Sequence, residues 1–299
     1  MPRALCRYLG TRTGASAATR GGHSDEGQSS FVKIFTGLWR WRQAVSYLVK
    51  RDLKVRYKNS ALGFFWSFLN PLTQIIVMTI AFRYIIQIDM PNYSVQLFVV
   101  FLPWMFFMQT LGDGADCVAQ DAALIKKFAF PRIILPISKM LSNFVHMLFG
   151  YVVLIAIFIY LGIVVHTSFA LVPVFFIIQM IFMLGLVLIF SVLRMYYDDI
   201  RFILEALLRL WFYLTPIAYN IEHVLSSAQI APFLKNLYIM ANPLTPLMIG
   251  YRKALLEAGQ WPMEQFWGHV GLSAELSILI LVIGLLVWRR HSWQFPELL

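Results

Sequence analysis

The sequence predicts an all-α membrane protein of six transmembrane helices, and two observations carry that expectation. Only 13% of the 299 residues are charged while 59% are hydrophobic, against about a quarter charged in an ordinary soluble domain. The missing charge is concentrated in long uncharged runs, so the solvent for most of the chain is lipid. The second observation is where the basic residues fall: they crowd the ends of apolar runs on one predicted side, as the positive-inside rule requires. That distribution also explains the net charge of +10 without invoking nucleic acid.

The elements follow in order. Residues 1–30 form a predicted disordered cytosolic tail, rich in Gly, Ser, Ala and Thr from Thr11 to Ser30. The first long apolar run begins only near Phe64, too far in for a cleavable signal peptide. From Phe31 to Val49, apolar residues Phe31, Ile34, Phe35, Leu38, Trp41, Val45, Leu48 and Val49 recur at helical spacing, with Lys33, Arg40, Arg42 and Lys50 off that stripe or at its end. This pattern suits a basic amphipathic helix lying in the membrane interface; the alternative is a core helix packed on protein. With the linker from Arg51 to Gly63, it makes a unit spanning 31–63.

Residues 64–299 hold the spans, expected at about 64–88, 95–111, 133–165, 171–193, 202–219 and 268–288. Asn70-Pro71 should kink the first, because Pro removes a backbone donor. A polar stretch after the second carries Asp113, Asp116, Asp121, Lys126, Lys127 and Arg132. The stretch from Asn220 to Trp267 is half apolar and broken by Pro232, Pro243, Pro246 and Pro262, which reads as short or re-entrant helices at the outer surface. Six spans place both termini in the cytosol. The basic N-terminal region, Lys126, Lys127, Arg132, Arg194, Arg201, Arg289 and Arg290 then share that side, in agreement with the charge rule. Glu205 and Arg209, and likewise Arg201 and Glu205, are spaced to pair along one helix face.

Several chemistries are excluded. No Gly-Lys pair exists anywhere in the chain, so a Walker phosphate loop is impossible. There is no His-Glu-x-x-His, no cysteine pair spaced for metal and no Gly-x-Ser-x-Gly elbow. Cys6 and Cys117 both fall on predicted cytosolic segments, where no disulfide is expected. Energised work would draw on a partner, and the cytosolic elements look built for one. In order come Arg51-Asp52-Leu53-Lys54-Val55-Arg56-Tyr57-Lys58, then Phe64-Phe65-Trp66 and Asn70-Pro71, then Ala122-Ala123-Leu124-Ile125-Lys126-Lys127-Phe128-Ala129-Phe130-Pro131-Arg132. Later there are Tyr197-Asp198-Asp199-Ile200-Arg201, Leu214-Thr215-Pro216 and Asn242-Pro243-Leu244.

This ordered set resembles the permease subunits of type-2 ABC exporters that move O-antigen, teichoic acid and capsular polysaccharides, from about Phe31 to the C-terminus. The resemblance implies a homodimer around a central channel in the bacterial inner membrane, with two cytosolic nucleotide-binding ATPase subunits docked beneath. ATP and Mg would bind that partner, and this chain would be a transport subunit rather than an enzyme, with no cofactor or metal of its own. The cargo implied is an undecaprenyl-diphosphate-linked polysaccharide, with membrane lipid as the surroundings. The short helix at about 122–130 would couple ATP-driven movement to the spans, through Leu124, Lys126, Lys127, Phe130, Pro131 and Arg132. The first, second and fifth spans would line the channel.

The residues fit those implied roles. Arg51, Lys54, Arg56, Tyr57 and Lys58 fall at the predicted inner headgroup level, where an arginine fork can grip a diphosphate; attraction to anionic lipid is the plainer reading. Trp66, Phe101, Trp104, Phe107, Trp211, Phe212 and Tyr213 are candidates for channel-lining rings that pack on the apolar faces of sugars, against an aromatic belt or lipid-facing packing. Efflux of a small molecule or lipid is an alternative activity. A membrane-embedded glycosyl- or acyltransferase is another, and Asp113, Asp116 and Asp121 form the acidic cluster that it would use.

Overall fold

A computed structural model describes residues 41–56, 65–87, 92–128, 130–163, 167–227, 231–256 and 263–295. The tail, Phe31 to Leu38, Tyr57 and Lys58 lie outside the described residues. All regular structure among the described residues is helical. Four helices are long and apolar enough to cross a membrane, within Tyr93–Ala115, Ile134–Leu161, Thr167–Tyr196 and Gln265–Gln294; Leu69–Ile85 is a shorter apolar helix.

Helix α1 runs Arg42–Arg56, so the expected linker from Arg51 begins as helix. Nothing from Lys50 to Arg56 is a helix breaker, and the expected boundary at Val49 marked only the end of the apolar stripe. α2 (Trp66–Thr79) passes through Pro71 and continues as a π-helical turn, Ile80–Ile85. α3 (Tyr93–Ala115) starts from Asn92 in the left-handed region. Two short helices follow, α4 (Cys117–Gln120) and α5 (Ala122–Lys127). α6 (Ile134–Leu161) ends at Gly162, whose φ of 67° supplies the left-handed cap. A 3-10 turn, Thr167–Leu171, leads into α7 (Val172–Tyr196).

At the fifth expected span, 202–219, the helix is shorter than the apolar run. α8 (Ile200–Leu214) has 15 residues, a length of ~22 Å at 1.5 Å per residue, short of a ~30 Å hydrocarbon core. The residues from Thr215 to Ala218 are buried but non-helical. Thr215 precedes Pro216, and the residue before a proline is pushed out of the helical region; its ψ is 137°. Between α8 and the last long helix come α9 (Ile221–Ser226), α10 (Pro232–Ala241) and α11 (Leu244–Leu256). α12 (Met263–His291) carries Arg289 and Arg290 inside its last turn, and a 3-10 turn, Ser292–Gln294, closes the described chain.

α3 is the axis of the fold. It is buried along most of its length and packs on α2, α6, α7, α8 and α11. α7 and α12 make the most extensive helix pair, and glycines let them approach. A Cβ on Gly185 would stand 2.7 Å from the backbone of Ile280 and Leu281. Small residues at such crossings are how helices associate in lipid, where burial of apolar surface gives little drive. A second, smaller cluster sits at the end of the bundle where α1 lies. Val45 and Leu48 of α1 pack there with Cys117, Ile125, Ile134, Leu188, Val192, Trp288 and Phe295. One face of α1 therefore rests on protein.

Candidate functional site

The polar stretch that follows the middle of α3 is where four helices meet. Asp113, Asp116 and Asp121 are each held by an arginine distant in the sequence, two from α1 and one from α7. Arg56, at the end of α1, donates to Asp113 at 2.7 Å and to Asn143 of α6 at 2.6 Å. Asn143 itself donates to Asp113 at 3.0 Å. Arg194 at the end of α7 donates to Asp116 at 3.0 Å and also bonds Asp198. Arg51 grips Asp121 with both terminal nitrogens, at 2.7 and 2.9 Å, and reaches Asp52 at 2.9 Å. Lys139 of α6 closes this last group, 3.0 Å from Asp52 and 3.2 Å from Gln120.

Burial works against the Arg51 guanidinium, but Asp121 and Asp52 outweigh it and hold its pKa above the usual arginine value. The carboxylates are thus used as structural anchors that tie α1, α6 and α7 to the α3–α5 segment. A transferase needs a free acid–base pair at one membrane face; an acid already forked by an arginine is poorly suited to that work. Cys117 lies beneath this junction, fully buried, and burial pushes its thiol well above the ordinary range.

Of the expected headgroup-level cations, the structure brings Arg51 and Arg56 into these pairs and leaves Lys54 exposed. Arg56 also borders a narrow cleft between α2, α3 and α6, whose polar lining is Gln109, Asn143 and His146. The partners Asp113, Asn143 and Lys139 were not among the expected site residues. In the sequence Asp113 stands out as part of an acidic cluster, but no local pattern ties Arg56 to residues 57 and 87 positions away.

The expected coupling residues fall together. Lys126, Lys127, Phe130 and Arg132 line an open hollow of about 270 Å³ with Ile125 and Phe128. Pro131 is exposed, and Leu124 packs on the smaller cluster. The helix itself ends at Lys127 rather than at Phe130, because Phe128 is extended at φ −134°, ψ 136°. Arg132 donates to the carbonyl of Ser292, which pins the C-terminal turn beside the hollow.

The expected aromatic lining divides between buried and exposed rings within one copy. A surface that lines a channel between two copies must be exposed in one copy. Phe101, Trp104 and Phe107 are buried in the core. Trp104 meets Phe212 edge-on at 5.7 Å and Phe107 meets Trp211 at 5.3 Å, so all five rings, with Trp211 and Phe212 half-buried, lock α8 onto α3. Trp66 and Tyr213 do face outward.

At the other end of the bundle, the turn after α8 has its backbone satisfied by protein. Arg252 of α11 donates to the carbonyls of Ile217 and Tyr219 and to Asn220, Tyr93 donates to Ala218 at 2.9 Å, and Asn242 bridges Trp211 and Thr215. Irregular backbone at membrane depth survives only where protein or water meets its polar groups.

A model of the ABC-2 type transporter family matches residues 43–256, the stretch that contains the α1 anchor, the α3–α5 junction and the turn after α8. Among curated proteins, the O-antigen export system permease protein RfbA of Myxococcus xanthus is 29% identical over 266 residues, which cover 89% of this chain and 99% of that protein. Two proteins of the same name from Klebsiella pneumoniae are 28% and 27% identical over 253 residues, covering 84% of this chain and 93% of theirs.

Proposed function

The chain belongs to the ABC-2 type transporter family, and from that premise we propose that it is the membrane-spanning permease subunit of an ATP-driven exporter of a lipid-linked polysaccharide of the O-antigen kind. The observation that carries the reading is the reach of the likeness: relatives named for O-antigen export align with this chain over 93–99% of their own length. The chemistry agrees. A polymer rich in hydroxyls cannot cross hydrocarbon without a polar path, and a chain with no phosphate loop has to take its energy from another subunit.

In this reading two copies pair around a channel in the bacterial plasma membrane, with both termini cytosolic and two ATPase subunits beneath. The basic end of α1 meets the lipid diphosphate. Arg56 is suited to that, because its side chain is partly exposed and its present partner, Asp113, is also accessible. An entering phosphate can replace the carboxylate on the same fork. The hollow around Lys126, Lys127 and Phe130 receives the ATPase subunit.

The test is reconstitution of this chain with its ATPase partner in lipid vesicles. Polyprenyl-diphosphate-linked O-polysaccharide should stimulate ATP hydrolysis several-fold, and the polymer should become accessible on the far face. Stimulation by small apolar compounds and none by the glycolipid would overturn the polysaccharide reading in favour of efflux.

A further inference from the structure

The exposed face of α8 carries a row of charges that runs from the first turn of the helix toward mid-membrane, and at its inner end, Arg209, contact with lipid is costly. Arg201, Glu205 and Arg209 have side chains 58%, 50% and 79% exposed, and they lie within 3.5 and 3.9 Å of one another along the helix. Four-residue steps drift only ~40° around a helix, so the three form one stripe. It lies between the buried line of Leu204 and Leu208 and the exposed apolar arc of Phe202, Leu210 and Leu214.

The depth of the stripe follows from the rings beside it. Phe212 meets Phe101 and Trp104, and Trp211 meets Phe107; these are the middle residues of the membrane-crossing α3 (Tyr93–Ala115). Arg209 stands two residues before Trp211, ~3 Å along the axis at 1.5 Å per residue. Its Cα is therefore near mid-membrane rather than in the cytosolic headgroups. A charge at that depth faces protein or a water-filled cavity, because contact with lipid tails is costly. α2 repeats the pattern independently. Asn70, Thr73 and Gln74 are exposed on an apolar helix and bond to one another: Gln74 donates to Asn70 at 3.1 Å, and Thr73 donates to the Asn70 carbonyl at 2.9 Å.

We infer that the Arg201–Glu205–Arg209 stripe lines the aqueous conduit, and that these side chains, not the buried rings of α3, touch the hydrated polymer and its phosphate groups. The inference rests on the transport reading and deepens it. With two cations to one anion in each copy, the lining favours neutral or anionic chains over cationic ones.

The experiment is thiol labelling of the full complex with its ATPase partner, in membrane vesicles opened to both faces. Single variants Arg209→Cys, Glu205→Cys and Leu210→Cys are treated with a charged, membrane-impermeant methanethiosulfonate. Such reagents attack the thiolate, which forms in water and not in lipid. The wild-type chain sets the background. We expect labelling at 205 and 209 at least ten-fold faster than at 210, which lies on the apolar arc. Equal rates at 209 and 210, or no labelling at 205 and 209, would overturn the inference. So would spontaneous disulfide-linked dimers at 209 in place of labelling, since the stripe would then be a contact between copies. If Arg209→Cys fails to assemble, the comparison of Glu205→Cys with Leu210→Cys decides. Labelling does not depend on the cargo, so a labelled complex that ignores the glycolipid removes the polysaccharide reading and keeps the conduit.

Discussion

Asp121 is the most buried member of the three acid–arginine pairs, with 8% of its side chain exposed. It sits immediately before α5, and its backbone carbonyl accepts from Leu124 and Ile125. Its two carboxylate oxygens take both ends of the Arg51 fork. Asp121→Ala leaves a half-buried guanidinium with Asp52 as its remaining described carboxylate. The expected loss is about 1–3 kcal/mol, the range for stranding a buried hydrogen-bonding group. Asp121→Asn keeps one oxygen acceptor and should lose less. Thermal unfolding of the detergent-purified complex checks the order wild type, Asn, Ala; equal stability of all three would show that Asp121 anchors nothing. The basic half of this pair was legible in the sequence because Arg51 opens the basic run that follows the amphipathic stripe. The acidic half, 70 positions away, was visible only as a charge, since pairing between distant segments leaves no period to read.

Among the elements, those with long uninterrupted apolar runs were readable. α3, α6, α7 and α12 each overlap the span expected for them, because crossing a bilayer requires a run that nothing else in the sequence resembles. α8 was read too long. Hydropathy continues smoothly through Ile217, Ala218 and Tyr219, and what stops the helix is Thr215 before Pro216, a local steric matter. The closeness of α7 and α12 was also hidden, because Gly185 and Gly284 are separated by almost a hundred residues and neither breaks its helix. A methyl at Gly185 would enter the backbone of α12, whereas one at Gly112 meets nothing within 4 Å. Gly185→Ala should therefore cost about 1–3 kcal/mol through forced separation of the helices. Gly112→Ala, in an open stretch of α3, should be neutral or gain a few tenths, since alanine favours helix over glycine. The two melting temperatures in one detergent measure the contrast, and a loss at Gly112 as large as at Gly185 would refute the packing argument.

In the transport reading, the whole molecule separates a conduit from a coupling surface. The aromatic core around α3 holds the spans together, and the charged junction at its end ties α1, α6 and α7 to α5 and the hollow beyond it. Force applied at α5 is therefore shared by every helix anchored at that junction. The hollow carries exposed Lys126 and Lys127 around half-buried Phe128 and Phe130, which fits an acidic partner surface with an apolar slot. Reversing both lysines, Lys126→Glu with Lys127→Glu, should reduce recovery of the ATPase subunit with the tagged permease several-fold. The loss should be greatest at low salt and fade as ionic strength rises, because screening weakens attraction and repulsion alike. Phe130→Ala tests the other half of the surface. It removes apolar contact without charge, so its effect on recovery should be independent of salt. If the double reversal leaves recovery unchanged at every ionic strength, the ATPase subunit docks elsewhere, and the junction at Asp113, Asp116 and Asp121 holds the bundle together without transmitting its motion.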